Sequence, residues 1–230
     1  MSASAPFDLA DEYERQLADG IRLSGEDRHF FIDGRIADLR ARLAGAAPRR
    51  ILDFGCGLGD ASRRLADAFA GADVVGVDTS AKALAAATAR HAGRHVRFEH
   101  LDAWPTTERF DLCYVNGVFH HVVPSHRAAV LARIHAGLLP GGHLAVFENN
   151  PWNPGARLVM RRIAFDRDAV PISPRALRAL VASGGFEVLH QRSLFYFPRV
   201  LGFLRALEPA LARLPLGAQH WVLARRAGDH

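Results

Sequence analysis

The sequence predicts an α/β fold with a parallel sheet covered on both faces, and three observations carry that prediction. Apolar runs of strand length, "RILDFG", "DVVGVD", "HVRFEH", "FDLCYVN" and "GHLAVFE", recur between residues 50 and 148. The helix-like stretches "DASRRLADAFAG", "SAKALAAATARHAG" and "SHRAAVLARIHAGLLP" alternate with them. Such alternation is the pattern of βαβ units, whose strands are buried on both faces and read as near-continuous apolar segments. Finally, Gly55, Gly57 and Gly59 follow the first strand directly and open a helix, the place where α/β sheets take a nucleotide.

Ahead of the alternation, "DEYERQLADG" reads as a short helix stopped by Gly20, and "SGEDRHFFIDGRIADLRARLAG" as a longer one. Ser24 and Asp27, three residues apart, suit a capping box. Ile32, Ile36, Leu39 and Leu43 fall on one helical face. Ala46, Ala47 and Pro48 end this prelude. Pro140-Gly141-Gly142 signals a turn just before the fifth strand. Beyond Glu148 the pattern changes to a polar, proline-punctuated loop, "ENNPWNPG". A helix, a glycine turn and a strand follow in "SPRALRALVASGGFEVLHQRS". "PRVLGFLRALEPALARLPLG" reads as an amphipathic helical excursion broken at Pro209, and "AQHWVLARR" as a closing strand.

Composition narrows the function classes. At 230 residues with 49% hydrophobic and 23% charged residues, the chain suits one globular domain. The net charge of +5 is spread along the sequence, almost all on arginine, so no nucleic-acid footprint is expected. Cys56 and Cys113 lie in apolar strand-like contexts with no disulfide framework, which fits a reducing cytoplasmic setting. The first residues lack the basic and apolar regions of a signal peptide, and no apolar window of about 18 residues could span a bilayer.

The glycine spacing selects among nucleotide ligands. A dinucleotide fingerprint sets its last two glycines three apart; here all three are two apart. Asp60 also sits where a phosphate would want positive potential. Asp78, ending the second strand, can accept both hydroxyls of a ribose. Asp102, after the third strand, can accept from an exocyclic amine such as that of adenine. These residues ask for a ribose, an adenine and a non-phosphate, partly cationic remainder.

Taken together, "ILDFGCGLGD", "VVGVDTS", "FEHLDAW", "FDLCYVNGVFHHV" and "LLPGGHLAVFE" resemble the successive motifs of class I S-adenosylmethionine-dependent methyltransferases over roughly residues 50–150. The resemblance implies a Rossmann-like seven-stranded, mostly parallel sheet with an antiparallel last strand. It implies S-adenosylmethionine as cofactor, with Gly55, Gly57 and Gly59 under its methionine part and Asp53 supporting the loop. Asp78 with Thr79 would hold the ribose, Asp102 with Ala103 the adenine, and Asn116 would lie beside the methionine end. It also implies a domain over 48–230 behind a helical lid over 1–47, and a helical insertion at 194–218 where the family has a short hairpin.

A small-molecule methyl acceptor (a sugar, polyketide or other secondary metabolite) is expected at the carboxyl ends of the strands. His120 and His121 are the candidate catalytic residues, with His120 as base toward an oxygen acceptor and an ordinary imidazole pKa near ~6.5. Asn149, Asn150 and Trp152 are candidates for the acceptor pocket, and Tyr13, Phe31 and Arg35 for contact with cofactor or acceptor. His91 and His95 have a metal-like spacing, but Gly93 separates them and no third ligand is apparent, so no metal is expected. Val200, Phe203, Leu204, Leu207 and Leu211 form an apolar stripe that reads as core or lid, with membrane-surface contact or a homodimer face as alternatives. Rival functions are a nicotinamide-dependent oxidoreductase, a nucleic-acid methyltransferase and a cofactor-binding scaffold that transfers no methyl.

Overall fold

In a strand, successive side chains point to opposite faces. Here both faces are apolar: Ile51 and Leu52, Leu112 and Cys113, and Trp221 and Val222 each divide between two separate buried clusters. The computed structural model describes residues 20–43, 45–105, 107–163, 166 and 168–228. Seven strands form one sheet: β1 (Arg50–Phe54), β2 (Asp73–Asp78), β3 (Val96–His100), β4 (Phe110–Asn116), β5 (Leu138–Asn149), β6 (Phe186–Leu194) and β7 (Gln219–Arg226). Their order is β3-β2-β1-β4-β5-β7-β6. The first five run parallel, and β7 lies antiparallel between β5 and β6, as the resemblance implied.

The helices cover both faces. They are α1 (Arg28–Arg42), α2 (Asp60–Ala68), α3 (Ala81–His91), α4 (Arg127–Gly137), α5 (Pro154–Arg162), α6 (Pro174–Ser183) and the single turn α7 (Glu208–Leu211). Ile36 and Leu39 of α1 and Leu65 of α2 enter the cluster on one face; Leu131 of α4 and Leu177 of α6 enter the other. Ser80, Asn153 and Ser173 each cap a helix by accepting an N–H three residues on, which fixes where α3, α5 and α6 begin.

Several local expectations need correction. The cap of α1 is Asp27, which accepts the Phe30 N–H, and not Ser24. Ser24 lies in a short 3-10 turn that ends at Gly25 with φ +76, so no helix can continue from it. The turn expected at Pro140-Gly141-Gly142 is a bulge inside β5. Leu138 pairs with Phe110 and His143 with Leu112, so five steps along β5 oppose two along β4. The proline-punctuated loop after Glu148 runs straight into α5, with Pro154 in its first turn where no N–H is required. Pro209 likewise begins α7 rather than breaking a helix; before it the chain forms a 3-10 helix over Arg199–Leu207, kinked at Leu201. Of the apolar stripe, Val200, Phe203 and Leu207 are 80%, 77% and 53% exposed, so it is not core.

The described part of the prelude is built into the main body. Leu39 is fully buried, and Asp38 accepts the indole N–H of Trp221 at 3.0 Å while pairing with Arg192 at 3.2 Å. Leu39→Ala should therefore cost about 2–5 kcal/mol in urea or guanidinium unfolding, the range for a buried large-to-small change. A loss below ~1 kcal/mol would mean that α1 is not seated on the sheet.

Candidate active site

The crevice of an open α/β sheet lies where neighbouring strands leave in opposite directions. Here that point is β1, flanked by β2 on one side and β4 on the other. The glycine loop behind β1 folds over the end of β2. The N–H groups of Gly55 and Cys56 both donate to the Val77 carbonyl, at 2.8 and 3.0 Å. Gly57 N–H donates to Asp78 Oδ2 at 2.8 Å, and Ser80 N–H donates to Asp78 Oδ1 at 2.9 Å.

Two of the glycines are required for different reasons. Gly59 has φ +81, and a Cβ there would run into the Phe98 ring and the Ala87 methyl. Gly57 has φ +54 with nothing within 4 Å of its missing side chain, so its bare backbone faces open space. Beneath the loop Asp53 is buried and accepts the Ser62 hydroxyl at 2.6 Å. Burial pushes its carboxyl up to about 7, with Asp78 adding to the rise and the Ser62 bond and Arg35 opposing it.

A cavity of about 840 Å³ runs from this loop across the ends of β4 and β5. Gly55, Gly57, Asp53, Asp78, Thr79 and Asn116 line it. Asn116 Oδ1 is buried there and has no hydrogen bond among the described residues. Asp60 also lines the cavity, paired with Arg28 at 2.9 Å. Phe31 stands edge-on to Phe195, with ring centroids 4.9 Å apart. Arg35 is buried; its Nε donates to the Tyr114 hydroxyl and its Nη1 to Gln219 Oε1, both at 2.9 Å. Gln219 in turn donates to Asn149 Oδ1 at 3.1 Å. No carboxylate pairs with Arg35 among the described residues.

On the same cavity wall the two predicted histidines meet acids that their local sequence did not reveal. His120 Nδ1 donates to Glu148 Oε2 at 2.5 Å, and Glu148 Oε1 accepts the Phe119 N–H at 2.8 Å. Nε2 of His120 and of His121 lie 3.5 and 3.3 Å from Asp166 Oδ1. The two imidazoles are tilted together with centroids 4.1 Å apart. Burial alone would lower the His120 pKa, but Glu148 and Asp166 outweigh it and raise it to about 10. The expectation of an ordinary imidazole pKa at His120 therefore does not hold: these acids favour its protonated form.

Other candidates lie elsewhere. Asn150 is fully buried, with its side-chain amide donating to the Pro215 and Gly217 carbonyls and its Oδ1 accepting the Trp152 N–H. It ties the loop after β5 to the segment before β7, leaving nothing to orient an acceptor. Trp152 is 46% exposed and does not line the cavity. The Asp102 side chain is 83% exposed beside His100, and Ala103 is exposed too; at this rim Leu101 lines the cavity instead. His91 and His95 face separate acids, Asp60 at 3.4 Å and Asp73 at 2.8 Å. Tyr13 lies outside the described residues.

A family model described as a methyltransferase domain matches residues 51–142. Trans-aconitate 2-methyltransferase of Variovorax paradoxus is 30% identical over 208 residues, covering 81% of this chain and 79% of that one. The chain belongs to the S-adenosylmethionine-dependent methyltransferases. A protein of the same name from Methylobacterium nodulans is 40% identical over 131 residues, or 56% of this chain and 49% of its own. The chain spans about half the length of several curated relatives it matches. Among solved structures, an S-adenosylmethionine-dependent methyltransferase from Mesorhizobium loti superposes with a TM-score of 0.63 at 25% identity, covering 85% of this chain and all of that one.

The residues present fit the cofactor of this methyltransferase family. The open backbone at Gly57 and the unpartnered Asn116 Oδ1 leave room and an acceptor for its aminoacyl end. Asp78 uses one lone pair of each oxygen on the Gly57 and Ser80 N–H groups, so the others could accept from ligand hydroxyls. The insertion, whose role the sequence left undefined, supplies Phe195, Tyr196, Phe197 and Arg205 to the cavity wall. Glu148 had a legible signal, an acid at the carboxyl end of a strand like Asp78; Asp166 and Phe195 had none.

Asp78→Asn keeps the shape of this carboxylate and removes its charge. It should weaken S-adenosylhomocysteine binding in calorimetry by about 1.5–3 kcal/mol, the scale of charge-assisted hydrogen bonds. Unchanged affinity would remove Asp78 from the ligand site.

Asp53 gives a pH signature. The folded chain holds its proton up to about pH 7, whereas the unfolded chain releases it near 3.8. The folded state binds more protons across that window, so its contribution to stability is lost as pH rises through it. Wild type should lose stability relative to Asp53→Asn from about pH 4 to about 7 and level off above. A difference independent of pH would show that Asp53 ionises normally.

Proposed function

We propose that the protein transfers the methyl group of S-adenosylmethionine to an oxygen of a small carboxylic acid. When bound, this cofactor supplies a methyl already activated on a sulfonium, so the protein's task is alignment of the acceptor behind it. The observation that carries the reading is Arg35, a buried guanidinium lining the cavity whose hydrogen bonds among the described residues go to the neutral Tyr114 and Gln219, with Asp53 near enough only to act through its charge. Such a group suits bidentate binding of a carboxylate.

Two further points support it. His120 is engaged by Glu148 at Nδ1 and faces Asp166 at Nε2, and these acids favour its protonated form, so it is poorly suited to take a proton from an acceptor. A carboxylate oxygen is already anionic at neutral pH and needs no base. Moreover, the relatives carry the name of an organic acid, trans-aconitate. This reading narrows the earlier range of sugars, polyketides and other secondary metabolites. We assign the described cofactor contacts to Gly55, Gly57, Asp53, Asp78, Thr79 and Asn116, and the acceptor end to Arg35, Phe31, Asn149 and the histidine pair. Of the lid expected over 1–47, the described residues Ile21, Phe30, Phe31 and Arg35 lie on the cavity wall, which supports a covering role for that part, with 48–230 as the methyltransferase domain. With Cys56 and Cys113 both buried and unpaired, a reducing cytoplasmic setting suits the protein.

The test is the stability of the product. Incubation with labelled S-adenosylmethionine and a panel of carboxylic acids, phenols, sugars and amines should label the acids, and dilute alkali should release the label as methanol. A methyl ester behaves this way; an ether or an N-methyl group does not. An alkali-stable product from a hydroxyl or amine acceptor would overturn the proposal.

A further inference from the structure

We propose that His120, His121 and Asp166 bind one divalent transition-metal ion of the Zn²⁺ type, with an open coordination position facing the cavity. The three ligand atoms lie within 4.8 Å of one another. In a tetrahedral site with bonds of about 2.0–2.1 Å, ligand atoms stand roughly 3.3 Å apart. The two edges from Asp166 Oδ1, 3.5 Å to His120 Nε2 and 3.3 Å to His121 Nε2, already have that length. These distances are long for hydrogen bonds, and Asp166 Oδ1 is buried without a hydrogen bond among the described residues. A buried carboxylate oxygen held only by two long imidazole contacts is poorly satisfied, and a cation at the centre of the three atoms would satisfy it better.

The surroundings match those of a metal site. A ligating histidine usually donates its other ring N–H to a carboxylate, which fixes the tautomer and raises ligand basicity. His120 does so to Glu148, itself held by the Phe119 N–H. Two imidazoles and one carboxylate select a first-row transition metal over Mg²⁺ or Ca²⁺, which prefer all-oxygen sites. A dication also balances the two buried carboxylates, Glu148 and Asp166, with both imidazoles neutral. All three ligand residues line the cavity, so a fourth position opens into it and can take a water or an acceptor oxygen. That last role rests on the proposed function; metal binding itself does not.

The test uses the whole chain, stripped with chelator, and neither cofactor nor acceptor. Zn²⁺ is titrated by calorimetry and Co²⁺ by visible absorption. One ion per chain should bind, with Co²⁺ giving the intense bands of a low-coordinate site. Glu148→Gln should weaken binding about 10–100-fold, as loss of an outer partner does. Asp166→Asn and His121→Gln should weaken it further, and His95→Ala, an exposed histidine outside the cluster, should leave it unchanged. Circular dichroism confirms the fold of each variant; His121→Gln, at the cavity edge, is the milder change. The proposal is overturned by absence of saturable one-to-one binding. Binding that survives both ligand substitutions, or that His95→Ala abolishes, overturns it equally. Methyl transfer that persists in chelator beside such a failure would leave the proposed function standing.

Discussion

The architecture of the site depends on one carboxylate. Asp78 ends β2 and accepts both the Gly57 N–H of the glycine loop and the Ser80 N–H that leads into α3. The loop is thereby folded over the neighbouring strand, helped by the two N–H groups that share the Val77 carbonyl. A loop bent this sharply requires positive φ at Gly55, Gly57 and Gly59. The same bend turns the bare backbone of Gly57 toward the cavity and sets α2 beside α1 and the sheet. Position in the sheet, loop conformation and ligand space are thus consequences of a single anchoring interaction.

The histidine and carboxylate cluster beside the cavity follows a different principle. Glu148 and Asp166 are nearly inaccessible to solvent, and such carboxylates persist in a protein interior only when paired. His120 lies between them and His121 completes the group, so the four side chains act as one unit. Its charge is satisfied by protons on the imidazoles or by one bound dication, and both states deny His120 the role of a free base. This is why the proposed acceptor is one that needs no deprotonation by His120.

Much of the fold was legible because strands buried on both faces leave a strong mark. Every strand proposed from apolar runs exists, and the antiparallel β7 matches the resemblance that implied it. Part of the cavity lining was legible for a related reason. Glycine spacing and acids at strand ends are local signals, and Asp53, Asp78 and Asn116 needed only the sheet to bring them to one cavity, whereas Asp102 and Ala103 stay outside it. The histidine cluster was less so. Asp166 lies 45 residues beyond His121 in the numbering, in a stretch without periodicity, and reaches the histidines only through tertiary packing. Asn150 and Trp152 were misjudged because a loop that ties itself together uses the same polar and aromatic residues as a pocket. The stripe at 200–211 misled in the same way, since amphipathic spacing says which residues share a face but not what covers it.

The central claim is that the crevice at β1 is shaped for S-adenosylmethionine and not for a dinucleotide. Isothermal titration of the wild-type chain with S-adenosylhomocysteine and, separately, with NADH compares the two ligands directly. The account predicts saturable binding of one S-adenosylhomocysteine per chain and no measurable heat with NADH. Tight NADH binding with no response to S-adenosylhomocysteine would contradict it.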